Sequence, residues 1–199
     1  MTEELSKPRL GIIVGSVRPG RVASPVSEWI ENVARSEGDF DVQVVDLAEI
    51  RLPFLDEAFH PSRQQYAHQH TRDWSALIES LDAFVVVSPE YNYGFSAPLK
   101  NALDYLFFEW NYKPIGIVSY GGVSAGTRSA QMLKLVLDGL RLSPVADNVH
   151  IPFVSELVVD GRLEPTELMD QAAVRMLKEL ARVESSLRPL RLERQAASS

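Results

Sequence analysis

The stretch GSVRPGRVAS, residues 15–24, places a hydroxyl at Ser16, a guanidinium at Arg18 and glycines at 15 and 20 between an apolar run and a segment of helical spacing. Free N–H groups and the dipole at a helix N-terminus attract an anion. A serine hydroxyl adds a donor, an arginine fork matches phosphate oxygens, and glycine lets the backbone approach closely. The chemistry these residues offer is phosphate binding; the plain alternative is a β–α connection with a solvated arginine. Two further loops stand out. SPEYNYGFSAP (88–98) sets the rings of Tyr91, Tyr93 and Phe95 beside Pro89, which stiffens the backbone, and Asn92, which tolerates left-handed geometry. SYGGVSAGTRS (119–129) puts Gly121 and Gly122 directly after an apolar run, where a flat group could lie close.

Those loops need a scaffold that brings them together. Five apolar or β-branched runs lie at 9–15, 41–47, 82–88, 114–120 and 145–154. The first, third and fourth are nearly continuous, as in parallel strands covered on both faces. Helical stripes alternate with them. Val26, Trp29, Ile30, Val33 and Ala34 form one face, with Ser24 as expected N-cap and Pro25 at the first helical position. A second helix falls within 62–80. Ser96 caps a third, striped by Leu99, Leu103, Leu106 and Phe107. A fourth spans about 125–141 with Met132, Leu133, Val136, Leu137 and Leu140, and a last about 165–187 with Leu168, Ala172, Met176, Leu180 and Leu187. The alternation implies an α/β fold with right-handed crossovers. We expect a flavodoxin-like, doubly wound parallel sheet of five strands in the order 2-1-3-4-5, sandwiched between helical layers as one domain spanning 1–199, with tails at 1–7 and 190–199. The irregular segment 51–72, which carries His60, His68 and His70, reads as an excursion over the site or toward a partner subunit.

In such a sheet, ligands bind at the carboxyl ends of the strands around the switch in strand order, here the loops after strands 1, 3 and 4. One phosphate at the first loop and one flat heteroaromatic ring between the other two describe a mononucleotide. On this fold flavin mononucleotide, FMN, is the natural candidate.

Other chemistries are disfavoured. The net charge of −7 argues against sequence-independent nucleic-acid binding. The absence of Cys removes disulfides, thiolate catalysis and Cys-ligated metals, and fits a reducing compartment. The charged N-terminus does not resemble a signal peptide, and no apolar run approaches the roughly 18 residues a bilayer span needs, so the chain reads as cytoplasmic. There is no G-x-x-x-x-G-K-[ST] and no G-x-G-x-x-G; Asp46 at the end of the second strand is a weak ribose-binding signal without those glycines. Ser16 and Ser119 lack a G-x-S-x-G elbow. The histidines complete no metal pattern, and Glu90 reads as structural. We name no catalytic residue and no metal ligand.

GSVRPGR, SPEYNYGFSAPLKNALDYL and SYGGVSAGTR, in this order within about 9–150, resemble the NADPH-dependent FMN reductase family of flavodoxin-like quinone, azo-dye and chromate reductases. The resemblance implies that Ser16, Arg18 and the turn Arg21, Val22, Ala23 and Ser24 hold the FMN phosphate. It implies that Pro89, Glu90, Tyr91 and Asn92 line the ring and ribityl largely through backbone groups, and that Ser119, Tyr120, Gly121 and Gly122 flank the ring's other edge. Many members carry Ser where this chain has Arg21, which leaves open which hydroxyl meets the phosphate, with Ser24 as one candidate. The resemblance also implies NADPH or NADH as co-substrate and a homodimer or homotetramer built on the helix after PEYN, where Phe107, Phe108 and Trp110 would suit a contact. The expected activity is hydride transfer from nicotinamide through flavin N5 to a quinone-like or other broad acceptor, in a ping-pong cycle. The alternatives are a flavin-binding redox sensor or electron carrier acting through a protein partner, and a flavin-free Rossmann-like dehydrogenase.

Overall fold

The computed structural model describes residues 7–198; residues 1–6 of the expected N-terminal tail and Ser199 lie outside them. Strands β1 (Arg9–Val14), β2 (Asp41–Asp46), β3 (Ala83–Pro89) and β4 (Pro114–Tyr120) form the centre of a parallel sheet. Its order is β2-β1-β3-β4-β5, the expected flavodoxin-like arrangement. Every residue of β3 and β4 is buried, which is why those runs are nearly free of polar side chains.

The fifth position departs from expectation. Instead of one strand within 145–154, β5 (Ser143–Pro144) pairs with the start of β4 and β6 (Val149–Ile151) with its end. Between them the chain steps out of register, and the Asn148 amide bridges the gap. Its oxygen accepts from Ile117 N at 2.8 Å, while its nitrogen donates to Val145 O and Ala146 O.

Helices α1 (Ala23–Glu37) and α6 (Glu167–Ser198) cover one face over Leu10, Ile12, Val14 and Val85; α3 (Gln69–Glu79), α4 (Ala97–Asp104) and α5 (Thr127–Gly139) cover the other over Ile13, Val86 and Ile117. A one-turn helix, α2 (Leu47–Ile50), follows β2, and a short hairpin of β7 (Val158–Val159) and β8 (Arg162–Leu163) precedes α6. Each buried aliphatic side chain in these layers contributes about 1.5–3 kcal/mol. Gly116 lets α6 come against β4, because a Cβ there would sit 2.7 Å from Met176 Sδ.

Several sequence expectations are corrected. Ser24 is not the cap of α1: Val22 occupies that position without a side-chain bond, and Ser24 and Pro25 sit in the first turn. Phe107 lies beyond α4, which ends at Asp104, although Ser96 caps that helix as expected. Met132 and Leu168 face outward, at 49% and 76% exposure, where apolar spacing had placed them in stripes. Trp110 is fully buried against Trp74 and Phe84 and is unavailable for a subunit contact. The stretch 190–198 is not a frayed tail: α6 continues through it, anchored by Arg191 on Glu184 and Asp82.

Candidate functional site

Loop 1 leaves β1 at Gly15, whose N–H still donates to Val87 O. Beyond it, the N–H groups of Ser16, Val17, Arg18, Gly20, Arg21 and Val22 donate to no backbone or side-chain acceptor among the described residues. The missing cap of α1 belongs to the same pattern, since a Ser or Asp cap would have consumed a first-turn donor. Arg18 is exposed and makes no hydrogen bond or ion pair among the described residues, whereas Arg21 pairs with both carboxylate oxygens of Asp46. Loop 1 thus presents a row of unused donors and one free cation at the mouth of a helix.

Loop 3, after β3, is a tight turn closed by Tyr91 N→Gly94 O at 2.9 Å and Gly94 N→Tyr91 O at 3.0 Å. Asn92 and Tyr93 both have positive φ, 49° and 73°, as a type I′ turn requires. The turn swings Tyr91 across to loop 1, where its hydroxyl meets Ser16 Oγ at 2.8 Å. Glu90 turns away to bind Arg128 at the start of α5, with Nε donating at 2.6 Å and the Arg128 backbone N–H at 3.2 Å. Burial works to raise the Glu90 pKa, but the bonds from Arg128 and Ser124 outweigh it and hold the carboxyl below the usual range. The paired carboxylate links the end of β3 to the start of α5. Arg128 in turn lies over the Tyr93 ring at 3.8 Å from its centroid.

Loop 4, after β4, closes on itself. Gly126 adopts φ 74°, and a Cβ there would come within 2.8 Å of Tyr120 backbone atoms, so the bend requires glycine. Ser119 Oγ donates to Ala125 O at 2.8 Å and meets His150 Nδ1 at 2.6 Å. Gly121 and Gly122 accept from Val154 N and Phe153 N, which ties this loop to the segment after β6.

Together these loops enclose a cleft of about 490 Å3, within the usual range of ligand sites. Ser16, Arg18, Arg21, Val22, Pro89, Glu90, Tyr91, Tyr120, Gly121 and Gly122 line it. Four expected residues do not: Ala23 is buried, Ser24 and Asn92 point elsewhere, and Ser119 is locked inside loop 4. Ser24 Oγ accepts from Arg21 Nε at 3.3 Å. Burial, and then the neighbouring Tyr91, push the Tyr120 hydroxyl's pKa up.

The far wall was not anticipated. Phe153, Val154, Ser155 and Glu156 line the cleft, and Phe153 holds a left-handed conformation with φ 47° and is 48% exposed. The only sequence signal was the position of this segment after the last strand. A larger and more apolar hollow of about 580 Å3 lies beyond Val17, between α2, Leu52–Phe54 and α4. It has neither a glycine nor Arg18 in its lining, so the 490 Å3 cleft is the better candidate.

The residues present fit FMN. The donors and Arg18 suit a phosphate dianion. Gly20, Gly121 and Gly122 line the cleft, where backbone without side chains lets a ligand approach closely.

The segment 51–68 packs on α4: Asn101 Nδ2 donates to Pro53 O at 2.7 Å, Leu55 N donates to Asn101 Oδ1 at 2.9 Å, and Tyr105 Oη binds Asp56. His68 precedes α3 and His70 lies in its first turn; their rings stack at 5.1 Å, and both face Asp56. No helix among the described residues is long and apolar enough to cross a membrane.

Residues 8–156 match the family described as NADPH-dependent FMN reductase. An NAD(P)H-dependent FMN reductase of Schizosaccharomyces pombe is 38% identical over 171 residues, covering 83% of this chain and 84% of its own. One from Saccharomyces cerevisiae is 39% identical over 148 residues, 69% of this chain and 77% of its own. Among solved structures, a flavoenzyme NAD(P)H:(acceptor) oxidoreductase from Paracoccus denitrificans has a TM-score of 0.71 at 17% identity, covering 90% of this chain and 98% of that one, a likeness of fold. The chain belongs to the NADPH-dependent FMN reductase family, oxidoreductases that use FMN with NAD(P)H as electron donor.

Proposed function

We propose that this chain is an FMN-dependent NAD(P)H oxidoreductase whose 490 Å3 cleft holds the flavin, and that it reduces quinone-like and other flat acceptors in a ping-pong cycle. The observation that carries this reading is loop 1, with its unpartnered N–H groups and the free Arg18 beside a glycine-walled cleft. Arg18 and the loop 1 N–H groups bind the phosphate. The turn of loop 3 and Gly121–Gly122 of loop 4 orient the flat ring, and the N–H group of Gly122, unused among the described residues, is a donor for its edge. When bound, FMN supplies hydride acceptance from a nicotinamide and its delivery to the acceptor. No side chain is assigned an acid, base or nucleophilic role. The whole chain acts as one cytoplasmic FMN-binding domain that assembles as a homo-oligomer, with Phe107 and Phe108, half-buried at the end of α4, at the contact.

The test is the visible spectrum of purified protein and identification of the chromophore released on denaturation, followed by steady-state NAD(P)H consumption with a quinone. Bound FMN and rapid turnover are expected. Bound FMN with poor turnover would favour an electron carrier or sensor, and a colourless protein that retains no added FMN would remove the flavin reading.

A further inference from the structure

Arg21 sits in the phosphate loop, yet its charge is already engaged. One guanidinium nitrogen donates to Asp46 Oδ1 at 2.7 Å and also to Ser16 O; the other donates to Asp46 Oδ2; Nε donates to Ser24 Oγ at 3.3 Å. Four of the fork's five N–H groups are thereby used. The pair is largely shielded, with side-chain exposures of 16% and 15%. Asp46 is held from its other side as well, because Oδ1 accepts from Ala48 N at 2.9 Å and caps α2. It also lies beside Val14, the last residue of β1, in the sheet register. The Arg21–Asp46 pair therefore ties loop 1 to the end of β2, and the bond from Arg21 to Ser16 O carries that tie to the first residues of the loop.

We infer that Arg21 is a positioning residue that staples loop 1 to the end of β2 through Asp46 and Ser16, aims the free N–H groups and Arg18 at the phosphate, and does not itself hold it. Two physical reasons support the division of labour. A planar fork bound at two carboxylate oxygens and a carbonyl fixes geometry in a way a point charge does not. An unpaired Asp46 carboxylate near loop 1 would repel a phosphate dianion, and Arg21 neutralises it in place. The departure of Arg21 from the serine common in the family is then an exchange of a phosphate ligand for a brace.

The inference rests on the flavin reading, and its test separates the two. Dissociation constants of FMN and of riboflavin, which lacks the phosphate, are measured on apo-protein by quenching of flavin fluorescence for wild type, Arg21→Gln, Arg21→Lys, Asp46→Asn and the Arg21→Gln/Asp46→Asn double variant. Asn is chosen at 46 because it keeps the cap of α2 while removing the charge. A staple predicts that each single variant weakens FMN about tenfold with riboflavin little changed, and that the double variant is no worse than either single one, as for coupled partners. Thermal melts confirm folding, and the double variant, which buries no lone charge, supplies the comparison if a single variant fails to fold. Wild-type FMN affinity in Arg21→Lys would overturn the inference. So would Asp46→Asn binding FMN as well as or better than wild type, or effects that add in the double variant, each of which makes Arg21 a direct phosphate ligand. A wild-type protein that binds no flavin removes the parent reading together with this one; flavin binding unmoved by the variants removes this one alone.

Discussion

The two edges of the sheet treat charge in opposite ways. At the amino-terminal edge the buried Lys113 and Arg191 find hydrogen-bond partners within the protein. Lys113 Nζ donates to Ile78 O at 2.7 Å and Glu79 O at 3.3 Å, at the end of α3. Arg191, 3% exposed, binds Glu184 at 2.5 Å and Asp82 at 3.0 Å, and Arg188 binds the other Glu184 oxygen at 2.7 Å. At the carboxyl edge, six N–H groups of loop 1 and the Arg18 guanidinium have no partner among the described residues. Burying a polar group without a partner costs several kcal/mol, so a structural charge acquires one during folding. Donors left over where solvent still reaches them are the ones a ligand can use. The contrast separates the charges that hold the fold from those that serve the site.

That contrast breaks if the edges respond alike to substitution. The largest effect is expected at the closed edge. Glu184→Ala strands Arg191 and Arg188, and should destabilise the protein by about 3 kcal/mol in chemical denaturation, the lower end for breaking a buried pair because Asp82 still holds Arg191. Next, Arg18→Ala should weaken FMN binding by about 1.5–3 kcal/mol in fluorescence titration while leaving the apo-protein's melting temperature unmoved, since Arg18 supports nothing in the fold. A melting point that falls with it would show that Arg18 is structural after all.

Third is a pH effect at the closed edge. Burial lowers the Lys113 pKa to about 7 from 10.5. Between about pH 7 and 10 the unfolded chain therefore holds a proton that the folded chain does not, and folded stability should rise with pH, by at most about 1.4 kcal/mol per unit. Lys113→Met should flatten that slope in denaturation curves at pH 7, 8 and 9. The smallest stability change belongs to Gly122→Ala. A Cβ there meets nothing within 4 Å, so stability should move by less than about 1 kcal/mol. FMN affinity should nevertheless fall, because Gly122 lines the cleft where the ring is proposed to lie; unchanged affinity would move the ring away from loop 4.

Much of the scaffold could be read from apolar spacing. Continuous runs announced β3 and β4, and Ser96 with Leu99 and Leu103 announced α4 and its cap. What escaped was carried by other forces. The end of α6 is held by Arg191, which lies in the stretch expected to be a tail and is bound by Glu184 of the same helix and by Asp82 from a distant segment. The fifth position of the sheet is broken by Pro144 and mended by an Asn148 side chain, which no period-2 pattern encodes. Trp110 has the composition of an interface residue and the surroundings of a core one.

At the site, the residue types and loop positions were already written in the chain: glycine where a ligand must come close, arginines at a helix mouth, and an asparagine that tolerates left-handed geometry. These are local demands, set by φ, by the absence of a side chain and by the donors a helix start leaves over. Which of two arginines three positions apart would face the cleft unpaired was decided only by folding. β2 delivers Asp46 beside the start of loop 1, and a fork takes the nearer carboxylate. The wall from Phe153 to Glu156 likewise came from strand pairing, when β6 docked on β4 and carried it there. Sequence spacing determines what each loop can offer, and long-range contacts determine which of those offers remains unspent.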